Sequence, residues 1–190
     1  MSPRTKEQFE FIRYEKEKLI LEVALNLFAK NGYASTSVSM ISKEAGISKG
    51  LMYNYFSSKE DLLKKIITSG LQQFTMFLNV KDVSNVKKEE LIDFIDGNLE
   101  ALKHDPDFYK LYFSLAFQAE VFSMLEVEMM KAFGDILNIF INYYQSKGET
   151  DPFAKTRFVL AVFDGIGIHY ILDTETFPLD KTRNMMIDLL

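Results

Sequence analysis

Apolar positions recur three and four residues apart along almost the whole chain, and no segment alternates with the period of two that a half-buried strand needs. The pattern predicts helices over roughly 16–31, 38–45, 49–55, 59–79, 88–104, 106–121, 124–147, 152–173 and from 179 onward, an all-α fold. The punctuation agrees with these boundaries. Asp105-Pro106 and Asp151-Pro152 each pair an N-cap with a proline at the first helical position, Gly148 follows the long helix before it, and Ser58-Lys59-Glu60-Asp61 resembles a capping box. The polar stretch Lys81 to Lys88 reads as a loop, and there is no internal repeat.

Two of these helices are short, and the turn between them is the most informative feature of the chain. Ser37 caps a helix in which Val38, Ile41 and Ala45 share one face; Gly46 makes the turn; Ser48 caps a second helix carrying Leu51, Met52 and Tyr55. That is a helix-turn-helix, a unit that lays its second helix in a major groove with the residues just after the cap against base edges. Here these are Lys49, Gly50 and Leu51. Tyr53 and Tyr55 each carry a hydroxyl that can reach a phosphate.

The segment Leu19 to Leu63 resembles the tetracycline-repressor (TetR) family of one-component transcriptional regulators. The likeness rests on an amphipathic helix ending in Phe28, Gly32 and Tyr33, a Thr36-Ser37-Val38 entry, Ile41, Ala45, Gly46 and Ile47 at the turn, and Tyr53-Asn54-Tyr55-Phe56 followed by Lys59 and Leu62. It implies DNA contacts from Thr36, Ser37, Ser48, Lys49, Gly50, Leu51, Tyr53, Asn54, Tyr55 and Lys59, with Lys59 as a phosphate-contacting lysine and Phe56 in the core. It further implies an N-terminal three-helix head, residues 1–57, that binds double-stranded operator DNA, and a C-terminal bundle, residues 58–190, that senses a ligand and forms a homodimer. Repression is the family's common mode: the dimer covers an operator until a small molecule changes the distance between its heads.

Composition is consistent with that reading. At 190 residues and 47% hydrophobic, the chain is long enough to bury a substantial core. No apolar run is long enough for a membrane span and the first residues lack a signal-peptide core, so a soluble, cytoplasmic protein is expected. The absence of cysteine removes disulfides, thiolate metal sites and cysteine nucleophiles. Residues 1–60 hold nine Lys or Arg against seven Asp or Glu, a charge of +2, leaving −7 for the remainder of a chain whose total is −5. A slightly basic head on an acidic body suits DNA, although specific geometry must carry much of the binding.

Beyond residue 58 the helix from Lys59 bears Leu62, Leu63, Ile66, Ile67, Leu71 and Phe74 on a broad apolar stripe, as a connecting strut would. The next segments are rich in aromatics and methionine, the residues of adaptable apolar pockets, so a small lipophilic effector is expected against Tyr112, Phe113, Phe117, Met129 and Phe133. Asn98 lies on the inward stripe of its helix with Leu91, Ile95 and Leu102. Its amide needs a partner, whether a neighbouring side chain, a water or a polar group on the ligand. Phe158, Ala161, Gly165, Ile168 and Leu172 form one stripe of the helix from Asp151, and its small residues suit close pairing with a second subunit or packing within one. His104 and His169 lack the spacing of a metal or catalytic pair, and no serine elbow or phosphate-binding glycine loop appears. No metal or cofactor is expected, and an enzyme on a helix bundle finds little support. A ligand-independent or partner-controlled DNA-binding regulator stays open.

Overall fold

The computed structural model describes residues 5–190. The described residues form ten helices: α1 Lys6–Asn31, α2 Val38–Glu44, α3 Lys49–Tyr53, α4 Lys59–Thr75, α5 Lys88–His104, α6 Pro106–Ala116, α7 Ala119–Met124, α8 Glu126–Ser146, α9 Pro152–Leu172 and α10 Leu179–Ile187. Helix α4 stops at Thr75 where 79 was expected and α3 at Tyr53 where 55 was expected, and two further departures are larger. Helix α1 starts ten residues earlier than the apolar period indicates, because Thr5 and Gln8 close a capping box and a first stretch that is exposed throughout, its Phe9, Phe11, Ile12 and Tyr14 included, still forms helix. The segment expected as one helix over 106–121 breaks after Ala116 and restarts at Ala119, with the Gln118 N–H bonded to the Leu115 carbonyl.

The chain divides into two compact units. One comprises Met1–Gly70 with Leu111–Leu125, and the other Leu71–Lys110 with Glu126–Leu190, so the boundaries fall inside α4 and α6. The expected cut at residue 57 runs in chain order, whereas the first unit takes in a distant segment as well; Met1–Arg4 lie outside the described residues.

In the first unit α1 packs on α2 and α2 on α3, with Ile20, Ala24, Phe28, Ile41, Met52, Phe56, Leu62 and Leu63 buried between them. Tyr112, Leu115, Ala116 and Val121 complete this core. The fit at Gly70 is close enough to exclude any side chain: a Cβ there would stand 2.1 Å from Cε2 of Tyr112, whose hydroxyl donates to the Ile67 carbonyl at 3.0 Å.

In the second unit α9 packs on α8, α10 and α5. Phe94 sits at its centre, edge-on to Phe74 and Phe140 and tilted against Phe163, with centroids 5.5, 6.1 and 5.8 Å away. Gly97 admits the Phe77 ring, which would lie 2.3 Å from a Cβ at that position. Glu90 organises the loop before α5 by accepting the Lys87 N–H at 3.0 Å and the Lys81 N–H at 3.2 Å. Helix α10 is tied to α5 by a two-bond ion pair from Arg183 to Asp96.

Candidate nucleic-acid interface

The helix-turn-helix is built from its caps. Ser37 accepts the Met40 N–H at 3.2 Å and starts α2, and Ser48 accepts the Leu51 N–H at 3.1 Å and starts α3. Each satisfies a backbone donor that the first turn leaves without a helical partner. Between them Gly46 has φ +64°, a left-handed conformation that a side chain would strain. The two helices are pinned underneath, where the buried Ser42 hydroxyl donates to the Val38 carbonyl and lies 3.3 Å from the Met52 sulfur. This leaves Ser48, Lys49 and Gly50 exposed at the start of α3, with Leu51 half-buried, Tyr53 and Asn54 exposed and Tyr55 half-buried. Among the described residues, no atom beyond its own helical turn stands within 4 Å of a Cβ built on Gly50, so the start of α3 is open at this position.

The exit of α1 is held by polar, long-range bonds. Lys59, the first residue of α4, donates from Nζ to the carbonyls of Tyr33 at 2.9 Å and Ala34 at 3.4 Å, and its ammonium lies 4.2 Å from the centroid of the Tyr33 ring. Burial raises the Tyr33 phenol above its ordinary range, with smaller contributions from the Glu60 and Glu120 charges. Gln118, from the break between α6 and α7, accepts the Tyr33 N–H and donates to the Phe28 carbonyl, both at 3.0 Å. Neither Gln118 nor Tyr33 stood out as a functional residue in the sequence. A lone glutamine between two apolar runs carries no periodic signal, and its partner atoms belong to the backbone.

Thr36 requires a correction. It is 1% exposed, and its hydroxyl is directed at the Gly32 and Leu27 carbonyls at 2.9 and 3.2 Å, so the side chain closes the exit of α1 instead of facing a groove.

Residues 20–66 match the family model described as bacterial regulatory proteins, tetR family. The fatty acid metabolism regulator protein of Bacillus subtilis is 26% identical over 183 residues, covering 90% of this chain and 91% of that protein. An uncharacterized HTH-type transcriptional regulator of the same organism, YuxN, is 56% identical over 68 residues, which span 35% of this chain and 23% of that relative. Residues 20–66 thus carry the sequence pattern of the tetR family of bacterial regulatory proteins. Among solved structures, a transcriptional regulator FadR from Bacillus subtilis in complex with stearoyl-CoA superposes with a TM-score of 0.69 at 25% identity, over 90% of this chain and 96% of that one.

The six residues expected to line an effector pocket divide between the two units. Tyr112, Phe113 and Phe117 belong to the first, where the Tyr112 hydroxyl is engaged by the Ile67 carbonyl and Phe117, 66% exposed, stacks on Phe113 with centroids 5.9 Å apart. Asn98, Met129 and Phe133 belong to the second. The Asn98 amide donates to the carbonyls of Phe74 at 3.1 Å and Phe94 at 2.9 Å, which answers the question of its donors internally; its Oδ1 is buried without a protein partner among the described residues. Met129 is buried in the core. A hollow of about 70 Å³ lies against Phe74, Phe133, Ile136, Leu137, Leu160 and Phe163, with Arg157 and Asp164 also bordering it. Of the six expected residues, Phe133 is in its lining. The hollow is several times smaller than the roughly 300–1,000 Å³ of a typical ligand pocket.

Helix α9 has two distinct faces. Thr156, Val159, Phe163 and Ile166 are buried in the second unit. On the opposite side Phe158, Ala161, Ile168 and Leu172 are exposed, Leu172 by 73%, and among the described residues no atom outside its own helical turn lies within 4 Å of a Cβ built on Gly165. Within one chain this stripe is not a packing surface.

Among the described residues no helix is long and apolar enough to cross a membrane.

Proposed function

We propose that this regulator is a homodimeric repressor that binds double-stranded operator DNA through α3 and leaves it when a long-chain acyl thioester occupies the second unit. The carrying observation is the exposed corner Ser48-Lys49-Gly50, capped by Ser48 and held from behind by the Ser42–Met52 contact. Lys49 and the open backbone at Gly50 read base edges, Ser37, Tyr53, Asn54 and Tyr55 meet phosphates, and Leu51 packs against the groove wall. Lys59 serves DNA binding by holding the Tyr33 and Ala34 carbonyls in place and by adding its charge for a phosphate.

The effector class is supported by the FadR relative crystallised with stearoyl-CoA and by the phenylalanine lining of the hollow at Phe133. A long acyl chain would have to open that hollow several-fold, and a ligand that requires a particular conformation is what shifts an equilibrium between two states. Two α3 helices enter successive major grooves when they lie about 34–36 Å apart, and a ligand favouring another spacing weakens DNA binding by the same free energy with which DNA weakens the ligand. The self-complementary stripe Phe158, Ala161, Gly165, Ile168 and Leu172 is the proposed dimer contact. Residues 1–57 read DNA in this scheme, and residues 58–190 sense and dimerise.

The test is fluorescence anisotropy of a duplex enriched from a random pool by the wild-type protein, titrated with stearoyl-CoA. Release of the duplex by micromolar stearoyl-CoA, with no effect of free coenzyme A, is the expected result. Retention at saturating ligand would favour a ligand-independent regulator with a solid body.

A further inference from the structure

We propose that Arg13, on the N-terminal arm of α1, is a phosphate-contacting residue of the DNA interface and that Tyr55 is the platform that orients it. This rests on the DNA-binding reading above. The arm is the part of α1 that the apolar period did not anticipate: residues 5–15 are exposed throughout, so it makes no contribution to the head's core. One of its side chains nevertheless reaches the helix-turn-helix. The Arg13 guanidinium carbon lies 5.5 Å from the centroid of the Tyr55 ring, two residues beyond the end of α3.

Arg13, like Lys16, is outside the ion pairs of this helix, and of the two it is Arg13 that lies over an aromatic ring. Lys6 and Lys18 face Glu10 and Glu22 one turn away, at 3.8 Å in both cases. Arg13 has no ion pair among the described residues, although three glutamates, at positions 7, 10 and 15, share the arm and Glu17 follows one turn on. A guanidinium held over a ring by cation–π attraction leaves N–H groups for other partners, and its planar fork matches two phosphate oxygens. The same attraction also restricts a long side chain before DNA arrives, which lowers the ordering cost of the contact. Tyr55 thus acts through Arg13 as well as through its own hydroxyl, and the arm extends the footprint of the head beyond α2 and α3.

Anisotropy is measured over a range of salt concentrations with the enriched duplex and with poly(dA-dT). Arg13→Ala and Arg13→Gln are expected to weaken both duplexes alike and to reduce the slope of log affinity against log salt by roughly one, as loss of one phosphate contact does. Arg13→Lys keeps the slope but binds more weakly than wild type, since it retains charge without the planar fork. Tyr55→Leu weakens binding in the wild-type background and has a smaller effect in Arg13→Ala, because the pair acts as a unit. Unaltered slope and affinity in both Arg13→Ala and Arg13→Gln, in a protein whose Lys49→Ala variant changes sequence preference, would overturn the Arg13 assignment and leave the DNA reading standing. Failure of the wild-type protein to enrich any duplex would overturn both.

Discussion

The Gln118 side chain accepts the backbone N–H of Tyr33, a residue 85 positions earlier, at 3.0 Å, and the same amide donates to the carbonyl of Phe28. A single side chain at the α6–α7 break therefore satisfies one donor and one acceptor where α1 ends. Gln118→Leu would leave the part-buried Tyr33 N–H unpaired, while the Phe28 carbonyl keeps the Gly32 N–H at 3.0 Å, and its expected cost is about 1–3 kcal/mol of unfolding free energy in urea. Gln118→Glu retains the acceptor for Tyr33 and places a carboxylate against the Phe28 carbonyl, so it should be no more stable than Gln118→Leu. A Gln118→Leu protein with wild-type stability would show that the latch contributes nothing.

Lys49 and Lys59 separate contact from support. Lys49 is exposed at the start of α3, so Lys49→Ala should leave the melting temperature unchanged and alter which duplex is enriched. Lys59→Met removes charged donors from the Tyr33 and Ala34 carbonyls. Its half-exposed setting reduces the loss to about 1 kcal/mol, and binding to all duplexes should weaken together. Selection from a random pool combined with thermal melting distinguishes the two. Identical behaviour of the variants would contradict this division.

Asn98 is the test of what the body holds. Asn98→Leu gives up the bond to the Phe74 carbonyl but also removes the buried Oδ1 that has no protein partner, and these opposing effects should leave stability within about 1 kcal/mol of wild type. Asn98→Asp sets an unpaired charge beside the Phe74 and Phe94 carbonyls and should cost about 3 kcal/mol or more. If a ligand supplies the donor for Oδ1, thermal stabilisation by stearoyl-CoA falls in Asn98→Leu; equal stabilisation of the two proteins would assign Asn98 to the fold alone.

The α9 stripe makes a prediction about assembly. A Cβ at Gly165 meets no atom within 4 Å outside its own helical turn among the described residues, so Gly165→Leu should leave the secondary structure and the fold of the subunit intact. Across a close helix pair it overpacks, with a cost of about 1–3 kcal/mol or more, and light scattering should report a weaker dimer. Phe158→Asp should do the same from the edge of the stripe. A dimer of undiminished strength in both variants would place the interface elsewhere.

Local chemistry made the helices and the helix-turn-helix legible. Ser37, Ser48 and Asp151 announce helix starts because each cap acts on a backbone N–H three residues away, and the buried set Ile41, Ala45, Met52 and Phe56 follows from the 3.6-residue period. The stripe on α9 was visible for the same reason, although the period cannot tell a face that packs within the chain from one left uncovered. Tertiary structure decided what depends on distant partners. It turned the Thr36 hydroxyl inward, divided Tyr112, Phe113 and Phe117 from Asn98, Met129 and Phe133, and brought Gln118 to Tyr33 and Arg13 to Tyr55. Hydrogen bonds to backbone atoms and rings stacked across helices leave no periodic mark in a sequence, because the atoms that satisfy them are set by how helices pack and not by which residues stand three or four places away.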